Sequence, residues 1–160
     1  MFDDVVRIAE QHGLAFIHHP SAHEKVITCG EAARVRGISL RQELKSLVLQ
    51  TSIGIAVASI PGDMHLHLRA VKQLLGTKQA YLASEAAVSD LGLSRGTICP
   101  LLPILWDYPQ LIDNTVLHEE LVYTNDGTLI GYVAFSPRLL LEAPIASVGH
   151  LSRPSVRRLQ

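Results

Sequence analysis

A chain of 160 residues is of single-domain length and can bury roughly 70% of its unfolded surface without disulfide or metal staples. Apolar residues at 48% against 18% charged exclude a disordered chain, and no apolar run approaches the length of about 20 residues that spans a bilayer. The net charge of −1 excludes capture of nucleic acid by overall attraction, so contact with a polyanion must come from a local patch.

Taken in order, Phe2–Gln11 sets Phe2, Val5, Val6 and Ala9 on one face, with Asp3 and Asp4 in the first turn and Gly13 past the end. That pattern predicts a short amphipathic helix. Acids in this stretch also argue against a signal peptide, and Cys29 and Cys99 read as free thiols, so a cytoplasmic protein is expected. Leu14–His18 alternates and reads as an edge strand stopped by Pro20. Thr28–Gly37 offers a capping threonine, a glutamate three positions on and a closing glycine, and Ser39–Glu43 adds one more helical turn.

The runs Ser46–Leu49 and Ile53–Ile60 are rich in Val, Ile and Leu and lie close together, which predicts a β-hairpin at the centre of a sheet. Lys45 stands at its head, where a lysine can lay its stem on the core and hold its ammonium in a cleft mouth. After Pro61-Gly62-Asp63 the pattern returns to helix, with Leu68, Val71, Leu74 and Leu75 on one face and Gly76 at the end. Ala80–Ala83 reads as a strand and Ser84–Gly92 as a serine-capped helix. Ile104–Asp107 and Leu111–Asp113 read as brief strands. Glu120–Thr124 and Thr128–Phe135 read as a hairpin across Asn125-Asp126-Gly127. Ser136-Pro137 opens a last helix to Leu141, and Ile145–Val148 closes with a strand. Residues 1–151 form the expected domain and 152–160 a tail. The fold class is α/β or α+β: one domain with a mixed, mostly antiparallel, curled sheet and short surrounding helices.

Eight histidines include the cluster His18, His19 and His23 and the pair His65 and His67. None is completed to a zinc set by a Cys or carboxylate at ligand spacing, so no metal and no cofactor are expected. No phosphate-binding glycine loop or serine elbow is present. Cys99 keeps open a small-molecule esterase or amidase with a cysteine nucleophile. The glycine- and proline-stiffened loop from Gly92 to Pro103 presents backbone amides suited to a carbonyl or an oxyanion. Arg34, Arg36 and Arg41 crowd one short segment beside Lys45 and are the expected contacts for phosphate.

Several of these pieces occur together. They are Thr28 with Glu31-Ala32-Ala33, Leu44-Lys45-Ser46-Leu47-Val48-Leu49, Ile60-Pro61-Gly62-Asp63, the Leu68–Gly76 helix, Ala83-Ser84, the GxxxP loop Gly96-Thr97-Ile98-Cys99-Pro100, and Val122-Tyr123. In this order, to about His150, the chain resembles the YbaK family, the prolyl-tRNA synthetase editing-domain superfamily of aminoacyl-tRNA deacylases. The resemblance implies a free-standing enzyme that hydrolyses the ester of a mischarged small amino acid on tRNA, helped by the vicinal ribose hydroxyl. It implies Lys45 as the functional cation and Gly96 as the source of a backbone group at the ester. Thr28, Ile60, Gly62, Thr97, Ile98, Pro100 and Asp113 are implied as pocket positions, the tRNA acceptor end as partner, and a synthetase as a further one. A non-catalytic tRNA- or synthetase-binding homologue is the alternative.

Overall fold

Helices predicted from their caps form with those caps in the computed structural model, which describes residues 1–154. Helix α1 spans Asp3–His12, and strand β1 follows at Phe16–His19. Helix α2, Cys29–Arg36, begins at a complete capping box: Thr28 Oγ1 accepts from the Glu31 N–H, and the Glu31 carboxylate accepts from the Thr28 N–H. A 3-10 turn at Leu40–Gln42 leads into the central hairpin.

That hairpin is β2, Leu44–Thr51, against β3, Gly54–Pro61, paired in register from Leu44↔Pro61 to Thr51↔Gly54 across a two-residue turn. From Ala56 to Pro61 every residue of β3 is buried, as the near-continuous apolar run requires of a central strand covered on both faces. Beyond it come β4, Met64–Leu66, α3, Leu68–Leu75, and β5, Ala80–Leu82. Helix α4, Glu85–Asp90, is capped by Ser84 Oγ, which accepts from the Ala87 N–H. The remaining elements are α5, Pro103–Trp106, then β6, Gln110–Asp113, β7, Val122–Asn125, β8, Tyr132–Phe135, β9, Ala146–Gly149, and β10, Ser152–Pro154.

The main sheet has the order β5-β2-β3-β6-β9. Its β3–β6 and β6–β9 pairs are parallel and its hairpin pairs antiparallel. A smaller antiparallel sheet, β1-β8-β7, is joined to the head of β2 by a parallel bridge from Tyr123 to Glu43. The fold is therefore mixed and mostly antiparallel, as expected. Ala56, Ala58 and Ile60 pack on Val71 of α3, Leu111 and Leu151. Val57 and Val48 face the other way, onto Leu105 of α5. A third cluster, with Phe2, Leu101, Ile112, Val133, Phe135 and Leu139, ties α1 to the small sheet. Each such buried Leu, Val or Phe contributes about 1.5–3 kcal/mol.

Four local expectations are corrected. Ile104–Asp107 is not a strand: Pro103 sits at the first position of α5, where its fixed φ suits a helix start. Asp126-Gly127 is not a tight turn. The loop runs over residues 126–131 because the Asp126 carboxylate turns inward, accepting from Thr128 N–H and Oγ1 and pairing with His18 Nε2 at 2.9 Å. The stretch 137–142 is a 3-10 helix. Finally, residues 152–154 are a strand rather than tail, paired to a strand at 64–66 that local pattern does not announce; residues 155–160 of the expected tail lie outside the described residues.

Candidate functional site

Strand β5 pairs with β2 only at Leu49–Thr51. In this register Val48 sends its carbonyl toward β5, where it accepts from Ala83 N–H at 2.9 Å. Two residues earlier, Ser46 points its own N–H and C=O to the same side, but there the neighbouring strand is missing. Helix α2, the 3-10 turn and the GxxxP loop wall off this open edge and leave a cavity of about 420 Å³. Its lining brings together five expected residues, Thr28, Lys45, Gly62, Gly96 and Ile98, with Arg36 at one side.

Lys45 lies on the face of β2 shared with Ile60, its cross-strand partner, and is half-buried. Its Nζ donates to the Met64 carbonyl at 2.6 Å, so the first residue of β4 holds the ammonium at the cavity wall. An ammonium has three donors, and this bond uses one. Gly62 makes the approach possible: a Cβ there would stand 2.5 Å from the Leu40 carbonyl oxygen and 2.7 Å from that of Glu43, both of them backbone.

Across the cavity, Gly96 has φ +88°, and a Cβ on it would lie 2.8 Å from Leu129 Cδ2 and 3.2 Å from Ile27 Cα. Only glycine lets the loop press against both. Asn125 of β7 donates from Nδ2 to the Ile98 carbonyl at 2.8 Å and so staples the loop in place. The rest of the GxxxP segment turns elsewhere. Thr97 folds back on Ser94, its Oγ1 donating to the Ser94 carbonyl and accepting from the Ser94 N–H, both at 2.9 Å. Pro100 is buried outside the lining, and Cys99 lies fully buried in the core around Phe135, where burial pushes its thiol up to about 12. A thiol so placed is no nucleophile, which removes the cysteine-esterase reading.

Beside Lys45 the wall carries a buried ion pair. Arg36, its side chain 1% exposed, donates to Glu43 Oε1, reaches His23 Nε2 with Nε at 3.3 Å, and lies 5.1 Å over the Tyr132 ring. Glu43 Oε2 is buried and has no hydrogen-bond partner. Burial raises the Glu43 carboxyl to about 7, against the pull of Arg36 in the opposite direction. Cys29, at the start of α2, lines the same cavity, and burial followed by the charge of Glu43 raises its thiol. Ser46, Cys29, Glu43 and Asn125 also line the cavity and were missed by sequence reasoning; the register of β2 against β5, invisible in a single strand, frees Ser46, and the meeting of α2 and β7 at the head of β2 brings in the others.

The other expected positions fall outside the cavity. Ile60 is fully buried and packs among Leu49, Val71 and Leu111. Asp113 is also fully buried: its carboxylate accepts from Leu151 N–H at 2.7 Å and from Ser152 Oγ at 2.9 Å, so it fastens β10. Arg41 pairs with Glu119 at 3.1 Å, and Arg34 is exposed. With Arg36 taken up by Glu43, the three arginines do not present one cationic patch. Among the described residues no three His, Cys, Asp or Glu side chains converge as a metal site, and no helix is long and apolar enough to cross a membrane.

The sequence model of the aminoacyl-tRNA editing domain matches residues 23–142, a span that contains every residue of the cavity. Among solved structures, the hypothetical protein APE2540 shares 29% identity over 93% of this chain and 99% of its own, with a TM-score of 0.79. A candidate trans-editing enzyme for prolyl-tRNA synthetase shares 24% identity over 95% of this chain and 97% of its own, at a TM-score of 0.73. The same fold recurs within a longer Marinobacter aquaeolei protein described as a candidate signal transduction protein. That match has 19% identity, covers 92% of this chain and 30% of the other, and has a TM-score of 0.61. No curated protein matches the chain.

Proposed function

The chain belongs to the aminoacyl-tRNA editing domain family, and we propose that it is a deacylase that hydrolyses the ester joining a small, mismatched amino acid to tRNA, acting in trans in the cytoplasm. The observation that carries this reading is the Lys45 ammonium, held by the Met64 carbonyl at the wall of a cavity closed on its other side by Gly96. An aminoacyl ester is already activated, so orientation and stabilisation of developing negative charge suffice for its hydrolysis.

In this reading water adds to the ester carbonyl carbon, and the oxyanion forms within reach of the two remaining Lys45 donors. The bond to the ribose oxygen then breaks, the ribose oxygen takes up a proton, and free amino acid and uncharged tRNA leave. The backbone groups of Ser46 on the open edge of β2 and those of Gly96 hold the aminoacyl group. Ile27, Leu40, Leu47 and Ile98 form an apolar wall that limits its side chain. The test is a panel of mischarged tRNAs followed for ester loss. Release of small aminoacyl groups at rates above buffer, with bulky ones spared, is the expected result; no release from any member would sink the deacylase reading and leave a binding homologue.

A further inference from the structure

Where a nearly neutral protein meets a polyanion is answered by how its acids are distributed. None of the 15 Asp and Glu residues lies between Met64 and Ser84, a stretch that carries Arg69, Lys72 and Lys78. None lies after Glu142 either, where Arg153 is followed in sequence by Arg157 and Arg158. Two acid-free segments so distant in sequence gain significance only if the fold joins them, and the pairing of β4 with β10 does so.

The joined surface has a defined inside and outside. Met64 and Leu66 of β4, with Leu68, Val71 and Leu74 of α3, pack toward the core. His65 and Arg153 are cross-strand partners and both are exposed. Arg153 Nη2 meets His67 Nε2. Burial, then Arg153, Arg69 and His150 in that order, lowers the pKa of His67, a sign of how closely the positive groups crowd this ring. Arg69, Lys72 and Lys78 border one shallow depression of about 320 Å³ at the end of α3, and none of the three makes an ion pair among the described residues. Of the nearby acids, Asp113 is buried beneath β10 with its carboxylate spent on Leu151 and Ser152, and Asp63 borders the head of β4.

We propose that this outer face of α3, β4 and β10 is the docking surface for the phosphate backbone of an RNA stem, and that β4 aligns the end of that stem with Lys45. The link is direct, because the residue that opens β4 is Met64, whose carbonyl holds the Lys45 ammonium. Positive charge on two segments that themselves carry no acid is complementary to closely spaced phosphates, and the choice of RNA among polyanions rests on the editing reading above. The sequence-based patch at Arg34, Arg36 and Arg41 gives way to this one, since Glu43 and Glu119 neutralise two of its members.

Four cations, Arg69, Lys72, Lys78 and Arg153, allow a salt slope of about −3.6 for a duplex stem, at about −0.9 per phosphate. The experiment measures tRNA affinity against salt for the wild type, the triple variant Arg69→Gln, Lys72→Gln, Lys78→Gln, the single variant Arg153→Gln, and Arg34→Gln. The triple variant is expected to flatten the slope by about 2.7 and Arg153→Gln by about 0.9, with Arg34→Gln unchanged. Hydrolysis of an aminoacyl trinucleotide without a stem should be the same in the triple variant as in the wild type. An unchanged slope in the triple and Arg153 variants would overturn the proposal. So would a triple variant that loses binding to anionic phosphatidylserine vesicles but not to tRNA. If the wild type binds tRNA with the expected slope, and the variants lose it, while no aminoacyl-tRNA is hydrolysed, the docking surface stands and the deacylase reading falls.

Discussion

The two ends of β2 are built from one continuous strand and come to opposite uses. At Leu49–Thr51 the strand is paired on both sides, Leu49 is fully buried, and the neighbours are Ala56 and the apolar face of α3. At Leu44–Leu47 one edge has no partner strand, and the surroundings include a lysine and a buried arginine–glutamate pair. Withholding three or four residues of β5 turns a sealed sheet edge into an open one facing a cavity, so the candidate site arises from pairing that is absent as much as from side chains that are present.

The sharpest way to break this contrast is to damage each end in its own terms. Glu43→Ala strands the Arg36 guanidinium in a buried setting and is expected to cost about 3–5 kcal/mol. Leu49→Ala, at the sealed end, leaves a cavity and is expected to cost about 2–5 kcal/mol. The two should part in kinetics, since only the first disturbs the wall beside Lys45. Urea denaturation gives the stabilities, and KM for aminoacyl-tRNA should rise for Glu43→Ala alone.

Next in size is Lys45→Ala. Loss of one positioned donor at a developing oxyanion is expected to lower kcat about 10²–10³-fold while the denaturation midpoint hardly moves. A strand-end lysine that only covered apolar surface would show the reverse.

A smaller effect separates the ends by pH. The Glu43 carboxyl titrates at about 7 in the folded protein, above its ordinary 4.5, because burial outweighs Arg36. Between those values the folded state holds a proton that the unfolded chain has released. Stability from this group is therefore full below about 4.5 and is lost as pH rises through about 7, by on the order of 3 kcal/mol. Arg36 is the charge that acts on it, Cys29 feels its charge in turn, and His23 lies against Arg36. Denaturation at pH 5 and pH 8 should show that fall in the wild type and lose most of it in Glu43→Gln.

Much of the fold was legible because its signals are local. Thr28 and Glu31 announce α2, Ser84 announces α4, and the dense Val and Ile of 53–60 announce a central strand. What misled was equally physical. Ile104 in a three-residue apolar run has no period to separate helix from strand, and Asp126 beside Gly127 imitates a turn while its carboxylate is committed inward. Strands as short as 64–66 and 152–154 exist only through each other, across more than 80 residues, and no window along the chain contains both. In the site, Lys45 and Gly96 stood out by residue type, a cation at the head of a strand and a glycine in a stiffened loop, whereas Gly62 came only from the family resemblance. Ile60 and Asp113 lie behind the cavity wall, which sequence does not reveal, because an apolar or acidic residue looks the same whether it lines a cavity or sits behind it.

The fastening of β10 by Asp113 has a consequence in time. Chains are made from the N-terminus, and contacts between distant segments form late, after the loop entropy between them has been met. The hairpin bearing Lys45 can form from neighbours about 15 residues apart. The strand that steadies its Met64 acceptor waits for Leu151 and Ser152, which Asp113 grips and which are translated more than 80 residues after Met64. The setting of Lys45 thus matures after the hairpin that bears it, and a chain made only as far as that hairpin carries its lysine before it carries a place for that lysine to rest.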